Sequence, residues 1–271
     1  MVIAPNIIFS ADDFGLTVHV NQAVEQAHLH GVLGQASLMV AAPASADAVD
    51  RAKRLPSLNV GLHLVLVDGD SCLGHARLPH ITTPDGKFGR NQTALGFQYF
   101  FSPAARRELA LEIRAQFAAY AATGLPLHHA DAHKHMHLHP TVADIMIEIG
   151  REFGLTRIRV PAEPPEIMGL CNEIPTLADR ALFAWTRVLR AKVRRANLVA
   201  TNQVFGIKWS GHMSLSRVAT LLQNLPSGST EIYFHPATER DADLRALMPD
   251  YEHAVELKTL LDISRENPFT S

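Results

Sequence analysis

The chain has 271 residues, 47% of them apolar, with a mean hydropathy near zero; that suffices for one sizeable core of the kind α/β barrels build from about 200–250 residues. Lys and Arg number 25 against 27 Asp and Glu, a net charge of −2, which excludes both the strongly basic surface of a nucleic-acid binder and the charge excess of a disordered chain. Fifteen histidines are the compositional anomaly, and they point towards metal or proton chemistry. In chain order, residues 6–11 read as a buried strand. A helix follows through Val20, Ala23, Val24, Ala27 and Leu29, and Gly31 ends it. Residues 35–40 predict a second strand, 44–54 a helix and 59–64 a third strand. Residues 67–102 read as one long irregular segment. Pro103 opens a helix to residue 123, with Leu109, Ile113, Phe117 and Tyr120 at helical spacing. A strand over 127–133, a helix over 140–153 and a strand over 156–160 come next, and 161–175, rich in Pro and Glu, reads as a loop. Helices over 177–196 and 215–223, a strand over 230–234 and a helix over 251–264 complete the pattern. Such alternation predicts βαβ units and a mainly parallel sheet. About seven of them fit a closed or nearly closed barrel, in one domain over residues 1–271.

Cys72 and Cys171 form no Cys-x-x-Cys and build neither a disulfide framework nor a cysteine zinc site. The first eleven residues lack the basic start and long apolar run of a secretory signal. No stretch approaches the roughly 18 apolar residues of a membrane span. The expectation is a cytoplasmic protein.

Chemistry-bearing residues gather at the C-terminal ends of the predicted strands, where a parallel barrel places its active site. Asp12 and Asp13 end the first strand. The division of labour that suggests itself is one carboxylate on a metal and one free as a general base, against the plainer reading of turn and cap chemistry. His63 ends the third strand, as a ligand or as a hydrogen-bonded core histidine. Six histidines fall between His128 and His139. There Asp131 and His133, at i and i+2, face one side of a strand, spacing that suits a ligand with a supporting carboxylate; a solvated histidine loop is the alternative. His235, before Pro236, suits a general acid or a simple turn. Asp13, His63 and His133 together make a two-histidine, one-carboxylate site with open positions. Imidazoles favour Zn, Co, Mn or Fe over Mg, and non-haem iron oxygenases use the same donors. The helix near 182–198 carries five basic residues among apolar ones, the pattern of a solvated helix or of one lying on an anionic membrane.

Asp12-Asp13-Phe14-Gly15, Gly61-Leu62-His63, Asp131-Ala132-His133-Lys134-His135-Met136-His137 and Phe234-His235-Pro236 resemble, in order, the motifs of the YdjC-like carbohydrate deacetylases. Residues 36–43, 60–67, 133–141 and 159–165 resemble the subgroup associated with hopanoid biosynthesis. The resemblance implies a distorted (β/α) TIM-like barrel of the polysaccharide-deacetylase kind. It implies a divalent metal, Zn or Mg with Mn or Co as alternatives, on Asp13, His63 and His133. Asp12 takes the base role and His235 the acid role, with Asp131 and His135 supporting. The implied reaction is removal of acetyl from an N-acetylglucosaminyl hopanoid, and relatives suggest a homodimer; contact with the inner membrane surface is the expectation for the membrane-lying reading of the basic helix. A chitooligosaccharide deacetylase is the nearest rival. A metal-dependent phosphoesterase or oxygenase, and a non-catalytic metal-storage or lipid-carrier protein, are more distant ones.

Overall fold

Eight strands and ten α-helices are formed among residues 6–265, which are the residues that the computed structural model describes. The first five residues, part of the segment read as no secretory signal, and the last six of the predicted domain lie outside them. The first third holds β1 (Ile7–Phe14), α1 (Val18–His30), β2 (Gln35–Leu38), α2 (Ser45–Arg54) and β3 (Asn59–Leu64). A two-stranded excursion, β4 (Gly69–Asp70) and β5 (Lys87–Phe88), then leads to α3 (Gln92–Phe101) and α4 (Pro103–Ala122). The middle holds β6 (Ala130–Ala132), a 3₁₀ turn (His133–Leu138), α5 (Pro140–Glu152), α6 (Pro165–Leu170) and α7 (Leu177–Arg195). The chain finishes with β7 (Gln203–Phe205), α8 (Leu215–Gln223), β8 (Thr230–Phe234), α9 (Ala242–Leu247) and α10 (His253–Arg265).

Local chemistry sets many of these boundaries. Thr17 accepts from the Val20 amide to start α1, and Ser102 accepts from the Ala105 amide ahead of Pro103 to start α4. Thr176 and Asp179 close a reciprocal capping box on α7. The sheet strands are buried on both faces, as expected when helices cover a parallel sheet.

All six strands of the main sheet run parallel in the order β6-β3-β2-β1-β8-β7. The segment 156–162 closes the circle between β6 and β7. Arg159 N–H donates to the Ala130 carbonyl at 3.1 Å, Ile158 N–H to Val199 at 2.9 Å, and Val204 N–H to Ala162 at 3.1 Å. Seven chain segments thus form a distorted TIM-like barrel, the fold class the sequence predicts.

Several predicted elements change. Residues 156–160 make isolated bridges rather than a strand, because Pro161, Pro164 and Pro165 bring no backbone donors to extend the ladder beyond them. The strand expected over 127–133 shrinks to β6, and His133 starts the 3₁₀ turn instead of ending a strand. The irregular segment 67–102 holds β4, β5 and α3, the loop 161–175 holds α6, and β7 and α9 come from residues given no element. Both cysteines are free.

Candidate active site

Alternate residues on successive strands fill the barrel lumen with polar groups. Ser10 and Asp12 of β1, Gln35 and Ser37 of β2, His63 of β3, Asp131 of β6 and Glu231 of β8 are all buried. Their spacing is the period-two signature of one strand face. At the centre lies Arg159, itself buried. Its guanidinium takes both Asp12 oxygens at 2.6 and 2.8 Å, Asp131 Oδ2 at 2.8 Å and Glu231 Oε1 at 2.7 Å. Burial opposes this charge, but the three carboxylates outweigh burial and hold the guanidinium well above its ordinary pKa.

The two aspartates ending β1 reach one site because the strand breaks its own regularity. The pairing of β1 with β2 slips between Ala11 and Phe14, and Asp13 adopts a left-handed φ of 61°. A bulge of this kind re-aims a side chain that pleating would send to the opposite face. Asp13 Oδ1 lies 3.4 Å from His63 Nε2 and 3.1 Å from His133 Nδ1. Lys134 and His135 carry φ of 50° and 53°, conformations that cost non-glycine residues about 1–3 kcal/mol each. That backbone brings the histidine segment back over the site.

Asp13, His63 and His133 offer ligand atoms within 4.8 Å of one another. Asp12, His63 and Asp131 meet the same limit, but Arg159 already sits against both carboxylates of that trio. Three observations fit the first trio to a divalent cation. Asp13 Oδ2 is buried without a hydrogen-bond partner. One carboxylate and two imidazoles are a suitable borderline donor set. His63 donates Nδ1–H to Asp131 Oδ1 at 2.7 Å, which turns its Nε2 towards Asp13, the orientation that carboxylate-backed metal ligands use. The supporting carboxylate thus serves His63, and not His133 as the i, i+2 spacing suggested. Burial would raise the Asp13 carboxyl, but the charge of His133 and hydrogen bonds from His133 and His63 hold it well below the carboxylate range. Burial would lower His63, but Asp131 and Asp12 push it up to about 10.

The remaining expected residues take distinct places. His235 follows β8 at the same end of the barrel. Its Nδ1 is buried without a partner, and burial holds the ring below its ordinary pKa despite the nearby Asp13 and Asp12. His135 stands apart from the trio, its Nε2 hydrogen-bonded to the Tyr233 hydroxyl at 3.1 Å. Sequence reading missed Arg159, Ser37, Glu231 and Tyr233, whose signal is polar residues at period two inside apolar runs. It also missed Glu256 and His253 of α10. Glu256 accepts from the backbone N–H of His235 and of Met213, and His253 Nδ1 bonds the His235 carbonyl at 2.7 Å. Together they fix the strand end that carries His235.

A groove of about 510 Å³ reaches His133 from outside. Leu16, Met39, Val65, Phe88 and Leu247 give it an apolar wall. At its rim Asp68 pairs with both Lys134 and Arg90.

Comparison with known proteins bears on the family and the fold. A carbohydrate deacetylase of Brevibacillus brevis is 37% identical over 163 residues, 60% of either chain. Its counterpart in Vibrio cholerae is 38% identical over 149 residues, 54% of this chain and 56% of the relative. These alignments span less than two thirds of the relatives' own length. A carbohydrate deacetylase of Thermoanaerobacter pseudethanolicus is 24% identical over 94% of this chain and 90% of its own. A crystal structure of a proposed cellobiose-phosphate cleavage protein of Enterococcus faecalis superposes with a TM-score of 0.71 at 20% identity, covering 96% of this chain and 92% of that one; it shows the same fold. Residues 6–266 match the family described as YdjC-like protein, and the chain belongs to that family.

Proposed function

We propose that this protein is a metal-dependent N-deacetylase that removes acetyl from an N-acetylglucosaminyl group, on a hopanoid lipid. The observation that carries the reading is the trio Asp13, His63 and His133 within 4.8 Å, beside a second carboxylate, Asp12, that Arg159 holds by both oxygens. The deacetylase names of the relatives support the carbohydrate half. The apolar wall of the groove at His133 supports a substrate with an apolar part, and the charged rim suits sugar hydroxyls.

Asp13, His63 and His133 would hold a divalent ion, Zn or Mg first and Mn or Co next, which when bound polarises a carbonyl and acidifies water. Asp12 takes the proton of the attacking water as its oxygen bonds to the acetamide carbon. Arg159 keeps the Asp12 side chain from swinging away, and the carboxylate keeps lone pairs for that proton. His235 gives a proton to the sugar nitrogen as the C–N bond breaks, because an amine leaves poorly unprotonated. Acetate and the free amino sugar are the products. Each proton transfer is worth about 10²–10⁴-fold in rate. Since burial favours neutral His235, turnover should fall as pH rises through the lowered His235 pKa.

The test is acetate release from an N-acetylglucosaminyl hopanoid and from diacetylchitobiose. Protein stripped by chelator and reloaded with Zn or Mg is compared with Asp12→Asn. The expected result is metal-dependent release, faster from the lipid, with Asp12→Asn inactive yet still binding metal. Preference for diacetylchitobiose would make the enzyme a chitooligosaccharide deacetylase. Full activity of Asp12→Asn would refute the base assignment, and no release with any metal would refute the deacetylase reading.

A further inference from the structure

α7 is apolar on two opposite sides. Thr186, Leu189 and Val193 face inward, while Leu177 and Val188 are exposed on the far side and Trp185, also exposed, stands on the flank with its indole N–H donating to the Leu138 carbonyl. Ala181 and Ala184 fill the stripe between Leu177 and Val188 at helical spacing. Just before the helix, Leu170 and Ile174 are exposed too, Ile174 to 85%. Arg180, Arg187 and Arg194 recur every seven residues along one edge of this outer stripe, and Arg195 closes its end. Among the described residues none of these four guanidiniums has an ion-pair or hydrogen-bond partner. The one acid of the helix, Asp179, is engaged by Lys208 and by the helix start.

Across a groove of about 450 Å³ from Trp185 stands α3. Thr93 and Gly96 line the groove, and Phe97 and Phe100 lie on the same side of the helix, at i+4 and i+7 from Thr93. Phe97 and Phe101 are 62% and 69% exposed and stacked on one another. The floor is the histidine segment, including His135 and His139. Lys134 lines both this groove and the one that reaches His133.

We propose that the outer faces of α7 and α3 dock on an anionic phospholipid bilayer. The inference rests on the lipid-linked reading of the substrate for its purpose, and on charge and exposure for its chemistry. Exposed apolar residues in one contiguous patch mark an interaction surface. Unpaired arginines flanking an exposed apolar stripe are complementary to a bilayer whose surface is negative and whose boundary is apolar. A second copy of the chain complements the face less well. An isologous contact pairs the same patch with itself, setting four arginines against four, with the single exposed Glu166 beside Leu170 too little to neutralise them. No helix among the described residues is long and apolar enough to cross a membrane, so the contact is superficial. Lys134 is common to this groove and to the one at His133, so a lipid-borne sugar entering between α3 and α7 would have to pass it to reach the ligand trio.

The experiment is co-sedimentation of the metal-loaded full chain with phosphatidylcholine vesicles, with and without about 30% phosphatidylglycerol, at low and high salt. The expected result is binding to anionic vesicles alone, weakened by salt. The double substitution Arg180→Glu and Arg187→Glu should lower binding at least roughly tenfold, since each basic residue near such a surface contributes a fewfold factor. Leu177→Ser with Val188→Ser should weaken it without changing its salt dependence. All four positions are exposed, and unchanged turnover of diacetylchitobiose shows the variants folded. Equal binding to neutral vesicles, or none to either, overturns the proposal. So does a dimer in solution that the arginine reversals dissociate, which would give the face to a second copy. Vesicle binding without any deacetylation leaves the surface intact and refutes the enzymatic reading; deacetylation without vesicle binding does the reverse.

Discussion

Asp131 divides its oxygens between two tasks. Oδ1 receives Nδ1–H of His63 at 2.7 Å, and Oδ2 receives Ser37 at 2.9 Å and Arg159 at 2.8 Å. An amide there keeps one acceptor but sets an NH₂ against the other donor, so His63 loses either its tautomer or its anchorage. Asp131→Asn should therefore weaken divalent-metal binding by about 10–100-fold, with turnover restored by excess metal. Equilibrium dialysis against a chelator reads this directly, and an unchanged affinity would show that other groups orient His63. Arg159 poses a different question, because it links the base to the ligand support. Arg159→Lys keeps the charge and loses the two-pronged grip on Asp12. It should lower kcat far more than it changes KM, with metal retained. Arg159→Ala strands Asp12, Asp131 and Glu231 without a cation and should cost about 3–5 kcal/mol of stability, visible as a lower unfolding midpoint.

Gly61 shows how β3 and β6 are held in register around the site. A Cβ on Gly61 would stand 2.3 Å from the His129 ring, and His129 bonds Ser37, which in turn bonds Asp131. Overpacking of this kind typically costs about 1–3 kcal/mol, and here the displaced atoms lead to His63. Gly61→Ala should lower both stability and metal affinity, while Gly61→Ala with His129→Ala should recover part of the stability, a coupling that a double-mutant cycle measures. Additive losses would mean that the close approach does not matter. These contacts also show why some elements were legible and others were not. Parallel strands buried on both faces read as apolar runs, so β1, β2, β3 and β8 stood out. β6, with three residues, lies in a histidine-rich stretch whose backbone turns left-handed at Lys134 and His135, and no local propensity announces that. α3 hid because its exposed Phe97, Phe100 and Phe101 blur the amphipathic pattern, as residues serving a surface rather than the core would do. The aspartates and histidines of the trio were readable from their positions at strand ends. Arg159 was not, because nothing local in the strand-like run 156–160 shows that Asp12, Asp131 and Glu231 converge on it.

Across the whole molecule, the barrel concentrates negative charge around one end, and proton and metal compete there for the same imidazole. In the metal-free chain the His63 pKa is raised from 6.5 to about 10. Linkage sets the sign. A raised imidazole pKa stabilises the fold fully below pH 6.5, and that contribution is lost as pH rises through about 10. A divalent ion requires neutral His63 and so displaces the proton. Its apparent affinity should therefore climb up to about tenfold per pH unit over this window, and the stabilisation it confers should grow by up to about 1.4 kcal/mol per pH unit. The gap between metal-loaded and metal-free unfolding midpoints should widen from about pH 6.5 to about pH 9 and shrink in His63→Ala; thermal scans with Zn or Mg at several pH values measure it. One ion per chain should account for the whole gap. A gap independent of pH would place the ion elsewhere than on His63, and several ions bound per chain with no effect of His63→Ala would favour a metal-storage role for the histidine-rich segment.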